Sequence, residues 1–177
     1  KYPQEVAQAV LIEPTGLTDE DQERVPRILN LTSPGYLDLA WFSDALSPST
    51  HATLDFRMSA MLSAAVRDYF VDRDHPPPWP VERVGGAALL VWEHSIAGQR
   101  GRLDFDFTQG LDGFTGDCLL VGSSASPIGA EFQAAANARH FGNVRVLRID
   151  NSGHRIVTEQ WDALEDGLRA FLAEYRG

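Results

Sequence analysis

The chain is poor in the cationic residues that several classes of protein require. Its 15 lysine and arginine residues are outnumbered by 25 acidic ones, which gives a formal net charge of -10 at pH 7. Binding to nucleic acid needs a concentrated cationic surface, so this balance argues against a nucleic-acid partner. The acidic residues are dispersed along the chain, which favours a role in solubility.

Cysteine is almost absent as well. Cys118 is the single cysteine, so the chain cannot form an internal disulfide. Its apolar neighbours favour a packing role over a reactive thiol. The five histidines show no spacing typical of a zinc site. We therefore expect no metal site.

Long apolar runs are missing too. No segment approaches the roughly 20 apolar residues that span a bilayer, and the chain does not open on a signal peptide. A hydrophobic content of 44% over 177 residues is ordinary for a globular protein and is enough for a core. We expect a soluble cytoplasmic protein without a membrane partner.

What the chain does contain is strand and helix patterns in its first and last parts. The nearly continuous apolar run 9–12 is typical of a parallel strand buried on both faces. The segment 144–149 alternates apolar and polar residues, which predicts a second strand. A terminal helix is then predicted from apolar residues spaced for one buried face: Trp161, Leu164, Leu168, Phe171, Leu172 and Tyr175.

The loop between this strand and helix carries a histidine. It reads Asn151-Ser152-Gly153-His154 and therefore follows the carboxyl end of a strand. Open α/β sheets bind ligands and perform chemistry at that edge. A histidine on an arbitrary loop would be a surface residue, but this position makes His154 the first candidate for a catalytic residue.

The strand, loop and helix together resemble the histidine loop of the α/β-hydrolase superfamily. The resemblance extends to the segment 118–122, similar to the next-to-last strand of that family, and to 128–142, similar to the helix that follows it. The start of the chain, 1–14, resembles the end of the helix after the nucleophile and the next strand. The resemblance implies an α/β-hydrolase fold fragment, with parallel strands and an inserted helical cap. It also implies hydrolysis of an ester, amide or related acyl bond without an organic cofactor.

The same resemblance divides the chain into three parts. Residues 1–16 would supply one core strand, residues 17–103 a helical cap, and residues 104–177 the carboxy-terminal part of the core. Within the cap, 55–66 and 84–96 are helix candidates. A cap in this place is similar to that of the proline iminopeptidase-like enzymes and related esterases and epoxide hydrolases. A small apolar substrate would bind between cap and core, the usual place for a pocket at such a boundary.

The nucleophile of that family is missing from the sequence. No Gly-x-Ser-x-Gly motif and no oxyanion loop of the His-Gly-Gly type are present. Ser123, Ser124 and Ser126 lie in a segment without the second glycine. The chain is thus expected to begin downstream of the nucleophile, and its expected partner is an amino-terminal fragment of the same precursor that carries this residue.

The acid of the catalytic triad is also missing from its usual place, which means that it has moved, that it was removed or that the protein is no longer a hydrolase. Ala125 stands where family members commonly have an aspartate, and an alanine cannot orient or stabilise an imidazolium. Glu13 ends the preceding core strand, where some relatives, including certain haloalkane dehalogenases, keep their acid. An alternative of equal weight is that Glu13 caps the loop 14–16. Asp104 and Asp106 are weaker candidates.

Two functions remain open at this point. In the first, His154 is the general base of a hydrolase and Glu13 its acid. In the second, the protein is a non-catalytic homologue whose cavity binds a small apolar ligand. A carboxylate within hydrogen-bond reach of His154 would favour the enzyme, and its absence would favour the binder.

Overall fold

The computed structural model describes residues 3–18, 20–21, 70–72, 74–75 and 107–174. The two predicted cap helices lie outside these residues, as do Asp104 and Asp106. No helix in the described part of the chain is long and apolar enough to cross a membrane.

Three parallel strands form one open sheet in the order β1-β2-β3. They are β1 (Gln8–Ile12), β2 (Asp117–Ser123) and β3 (Asn143–Ile149). Ile12 lies beside Val121 in the register, and Ser123 lies beside Ile149. The carboxyl ends of all three strands therefore meet at one edge, and the prediction of a parallel α/β sheet is confirmed.

Apolar clusters cover both faces of the sheet, and successive side chains of the central strand β2 point alternately into one cluster and the other. One cluster contains Leu119, Val121, Ile149, Ile156, Leu164 and Phe171. The other contains Phe114, Cys118 and Leu120, with partly buried residues such as Leu11 and Phe141 packed against them. This two-sided burial explains why β2 is an almost unbroken apolar run.

The connection from β2 to β3 is a helical segment, α1, of changing pitch. It begins as an α-helical turn at Ala130–Phe132, widens to a π-helical turn at Gln133–Asn137 and ends as a 3-10 turn at Ala138–His140. Glycine allows its start to approach the sheet closely. A methyl group at Gly122 would lie 2.3 Å from the backbone nitrogen of Ala130, so a larger side chain there would push α1 away from the sheet.

After β3 come a short helix, α2 (Ile156–Glu159), and the terminal helix α3 (Trp161–Ala173). The predicted buried face of α3 is correct for Leu164 and Phe171, which are buried. It is wrong for Trp161 and Leu172, which are 49% and 54% exposed. These two lie on one flank of the apolar stripe, turned away from the sheet. Tyr175 lies outside the described residues.

Candidate active site

Three polar side chains meet where the three strands end. Glu13 follows the last residue of β1, Ser123 is the last residue of β2, and His154 lies in the loop after β3. The parallel register brings these positions together although the chain separates Glu13 from His154 by 141 residues.

The backbone at Glu13 turns sharply out of the sheet. Its φ angle is 41°, a left-handed conformation that is uncommon for a residue with a Cβ atom. The turn is held by a hydrogen bond of 2.9 Å from the Glu13 N–H to the carbonyl oxygen of Val121. The Glu13 residue is 4% exposed, so its carboxylate is directed into the protein and away from solvent.

Both oxygens of the Glu13 carboxylate accept hydrogen bonds. The Ser123 N–H donates to Oε1 at 2.7 Å, and the Ser123 hydroxyl donates to the same oxygen. Oε2 lies 2.5 Å from His154 Nδ1. Because an ionised carboxylate can only accept, Nδ1 carries the proton in this pair. This is the contact that the displaced-acid hypothesis requires.

The environment of Glu13 favours its charged form. Burial opposes ionisation, but the hydrogen bonds from His154 and Ser123 outweigh it and lower the pKa of Glu13 below its ordinary value of 4.5. Glu13 is therefore an anion at neutral pH. The His154 side chain is 32% exposed, so its ring spans from the buried carboxylate towards the surface.

Ala125, at the position where the resemblance led us to expect an acid, has a structural role here. The Ala125 side chain is exposed, and its N–H donates a 3.0 Å hydrogen bond to the carbonyl oxygen of Ser152. The Ser124 N–H similarly donates to Ile149 at 2.9 Å. These bonds join the loop after β2 to the histidine loop, so residues 124 and 125 support His154 through the backbone alone.

The contribution of Ser123 was not predicted. The sequence held one signal, because Ser123 is a polar residue that ends an apolar strand. In the parallel register, Val121 pairs with Ile12, and Ser123 lies two positions further along, close to Glu13. A serine that is 1% exposed needs hydrogen-bond partners. In this structure its hydroxyl donates to the Glu13 carboxylate and accepts a 3.3 Å hydrogen bond from the N–H of Ser126.

The other two histidines in the described ranges lie away from this edge. His75 is exposed and pairs with Asp72 at 3.3 Å. His140 accepts a 3.2 Å hydrogen bond from Arg139 and borders a depression of about 480 Å³ at the opposite, amino-terminal edge of the sheet. His51 and the Glu93-His94 pair lie outside the described residues. Within the described ranges, no three histidine, cysteine or acidic side chains are grouped so that they could hold a metal ion.

Cys118 is buried in the sheet and is not part of this edge. Burial raises the pKa of its thiol to about 11, so it is neutral at physiological pH and is a poor nucleophile. The predicted packing role of Cys118 agrees with this environment.

Comparison with known proteins gives a likeness at the level of the fold. No model of a known protein family matches the sequence, and no curated protein matches it. Among solved structures, the crystal structure of VinJ is similar, with a TM-score of 0.56 and 16% sequence identity. The likeness covers 94% of this chain, which spans 57% of the length of VinJ. At this identity the match bears on the fold alone, and it supports an open parallel α/β sheet with its strand ends at one edge.

Proposed function

We propose that this chain carries the acid and the histidine of a serine-type α/β-hydrolase that cleaves an ester, amide or related acyl bond. Glu13 is the acid and His154 the general base. One observation carries the proposal: a buried, ionised carboxylate lies 2.5 Å from the Nδ1 atom of a histidine at the carboxyl edge of a parallel sheet. Histidine oriented by a carboxylate is the arrangement that activates a hydroxyl nucleophile.

The proposed chemistry follows from the hydrogen bond at Nδ1. With Nδ1–H donated to Glu13, the Nε2 atom of His154 takes the proton of the nucleophile as its oxygen attacks the acyl carbon. Glu13 stabilises the imidazolium that forms. Nε2–H then gives its proton to the leaving alcohol or amine, which leaves an acyl-enzyme. In the second half, Nε2 deprotonates water, and the attack of water releases the carboxylic acid and restores the nucleophile.

The nucleophile and the oxyanion donors belong to an amino-terminal segment that the sequence does not contain. In this proposal, that fragment of the same precursor adds its strand beside β1, on the edge that does not pair with β2. The small apolar substrate then binds between this sheet edge and the region 17–103, as in the proline iminopeptidase-like branch. The oxyanion hole would lie on the added segment.

The non-catalytic reading is the weaker one. A protein that only binds an apolar ligand has no need of an ionised carboxylate held against a histidine. Burial of such a group is costly unless it is fully hydrogen-bonded, and the Glu13 carboxylate is held by three hydrogen bonds. The buried and hydrogen-bonded polar groups at this edge therefore favour a catalytic role.

The test uses the intact protein, including the segment that precedes this chain. We expect it to hydrolyse an activated ester and to be labelled by a fluorophosphonate probe, which reacts with activated serines. The variant His154→Ala should lose both activities, by several orders of magnitude in kcat, while His75→Ala should retain them. Folding should be intact in both. A His154→Ala variant with most of its kcat, or an elbow without a serine in the preceding segment, would contradict the proposal.

A further inference from the structure

Glu159, the last residue of α2, binds two separate backbone segments. Its Oε2 atom accepts a 2.7 Å hydrogen bond from the N–H of Gly153, the residue directly before His154. Its Oε1 atom accepts a 2.9 Å hydrogen bond from the N–H of Val71. The two oxygens of one carboxylate thus join the histidine loop, 6 residues before Glu159, to Val71, 88 residues before it.

The segment that contains Val71 has local order of its own. Phe70 is buried, with 5% exposure. Asp72 accepts hydrogen bonds from the N–H groups of Asp74 and His75 at 3.0 and 2.9 Å, which forms a turn closed by a side chain. The short segment 70–72 is therefore connected to the histidine loop through the Glu159 carboxylate.

The histidine loop is held from both sides. On one side, the carbonyl oxygen of Ser152 accepts a hydrogen bond from the N–H of Ala125. On the other side, the Glu159 carboxylate accepts one from the N–H of Gly153. Both Ser152 and Gly153 are buried, so the Gly153 N–H would become a buried, unsatisfied donor if it lost its acceptor, which is unfavourable. Asn151, with a φ angle of 52°, starts the loop in a left-handed turn, which leaves little freedom to adjust.

We infer that Glu159 is a positioning residue for His154 and that it links the histidine loop to the segment 70–72. The inference rests on the proposed function, since it assigns Glu159 a role in orienting the base of that reaction. Glu13 orients the imidazole ring of His154 through its contact with Nδ1. Glu159 holds the backbone next to that ring through the N–H of Gly153. A movement of the segment 70–72 is then transmitted to the histidine loop through the Glu159 side chain.

The variant Glu159→Gln tests this role with little change of shape. A glutamine side chain has one acceptor oxygen and one NH₂ group, so it can accept from Gly153 or from Val71 but not from both. We expect kcat to fall roughly 10- to 100-fold, because a small misplacement of a catalytic group has effects of this size. KM should stay within about twofold of the wild-type value.

The closing experiment measures His154 directly, by NMR of its ring nitrogens and of the Nδ1 proton in the intact protein. The variants are Glu13→Gln, Glu159→Gln and, as control, Glu165→Gln, which removes an equally charged group paired with Arg169 on α3. We expect the Nδ1 proton signal to be lost in Glu13→Gln, shifted or broadened in Glu159→Gln, and unchanged in the control. Hydrogen exchange at the amide of Val71 or Gly153 should be faster in Glu159→Gln alone.

The outcomes separate the two hypotheses. If Glu13→Gln leaves the His154 signals unchanged, the proposed function fails. If Glu13→Gln changes them but Glu159→Gln matches the wild type in signals and kcat, only the role of Glu159 is refuted. Lower stability of Glu159→Gln with wild-type ring signals would also refute it. Should Glu159→Gln not fold, Glu159→Asp, which keeps the charge but shortens the reach, gives the same comparison.

Discussion

Among the residues that the structure describes, two histidine–carboxylate pairs have the same chemistry in different surroundings. In each, a ring Nδ1 atom faces a carboxylate oxygen, at 2.5 Å for His154 and Glu13 and at 3.3 Å for His75 and Asp72. The side-chain exposures are 32% and 1% in the first pair but 85% and 60% in the second. Water and salt compete for the exposed pair, while the buried pair interacts through a medium of lower dielectric constant.

The pairs also differ in how the fold forms them. Asp72 and His75 are three residues apart and meet through a local turn, whereas the ends of two strands bring Glu13 to His154. The pKa is lowered in both acids: for Asp72 the largest cause is the N–H of His75, and for Glu13 the hydrogen bonds must first overcome burial. The direction of the pKa shift therefore does not distinguish the two pairs. Burial, together with a partner that is distant in the sequence, does distinguish them.

The sharpest test of this contrast removes the charge of each acid in turn. Glu13→Gln should lower kcat by about 10⁴-fold, because an amide favours the wrong imidazole tautomer and cannot balance the imidazolium. Asp72→Asn should leave kcat unchanged. Hydrolysis of an activated ester by the intact protein measures both. Equal effects of the two variants would mean that burial does not distinguish the pairs.

The second-largest effect is expected when Glu13 loses one of its hydrogen-bond donors. Ser123→Ala removes the hydroxyl that donates to Oε1 but keeps the backbone donor at 2.7 Å. We expect kcat to fall roughly tenfold, as for the loss of one hydrogen bond to a charged group, and the pKa of Glu13 to rise towards its ordinary value. Ser124→Ala, at the neighbouring half-buried serine, is the control. Carboxyl carbon NMR across an acid titration would report the pKa in each variant.

A smaller effect is expected on stability as a function of pH. Because the pKa of Glu13 is lowered on folding from 4.5, its ionised form stabilises the fold fully above that ordinary value. This contribution is lost as the pH falls through the lowered pKa of the folded state. The difference in free energy of unfolding between wild type and Glu13→Gln should thus be larger at pH 7 than in acid. Urea unfolding measures it.

Salt distinguishes the two acids in the same experiment. The exposed Asp72 should lose its small pH-dependent contribution in about 1 M salt, where the screening length is roughly 3 Å. The contribution of Glu13 should persist, since its partners are in direct contact and shielded from ions. Loss of both contributions in salt would show that the Glu13 pair is open to solvent in solution.

The smallest expected effect is at the usual acid position. Ala125→Asp should not raise kcat in the wild-type background, because Glu13 already binds His154 Nδ1 and the side chain at 125 is exposed. A large gain, measured with the same ester, would mean that the ordinary position remains the better one and that Glu13 holds the ring imperfectly.

The sequence predicted the sheet well because each strand is a short segment, either nearly continuously apolar or alternating apolar and polar, that ends at a polar turn. The predicted segments 9–12, 118–122 and 144–149 each fall within one residue or so of β1, β2 and β3. Once the strands are parallel, their ends must share an edge, and this placed Glu13 beside His154.

The remaining features depend on contacts that no local pattern encodes. Ser123 acts on a residue 110 positions away, and Glu159 on backbone groups 6 and 88 positions away. A serine or glutamate in a loop has the same local signature whether it binds water or a buried neighbour. Trp161 and Leu172 were misplaced for a related reason: helical spacing gives the phase of an apolar stripe but not its width.

Because Glu13 has a left-handed backbone conformation, selection for stability and selection for turnover are expected to favour different residues at this position. Glycine or asparagine adopts that conformation more readily than glutamate, so a library screened for thermal resistance in acid, where the carboxylate no longer stabilises the fold, should drift towards them at position 13. A library screened for turnover should keep glutamate and accept the strain of a few kcal/mol or less. Position 13 is therefore a place where the two screens are expected to return different residues from the same starting gene.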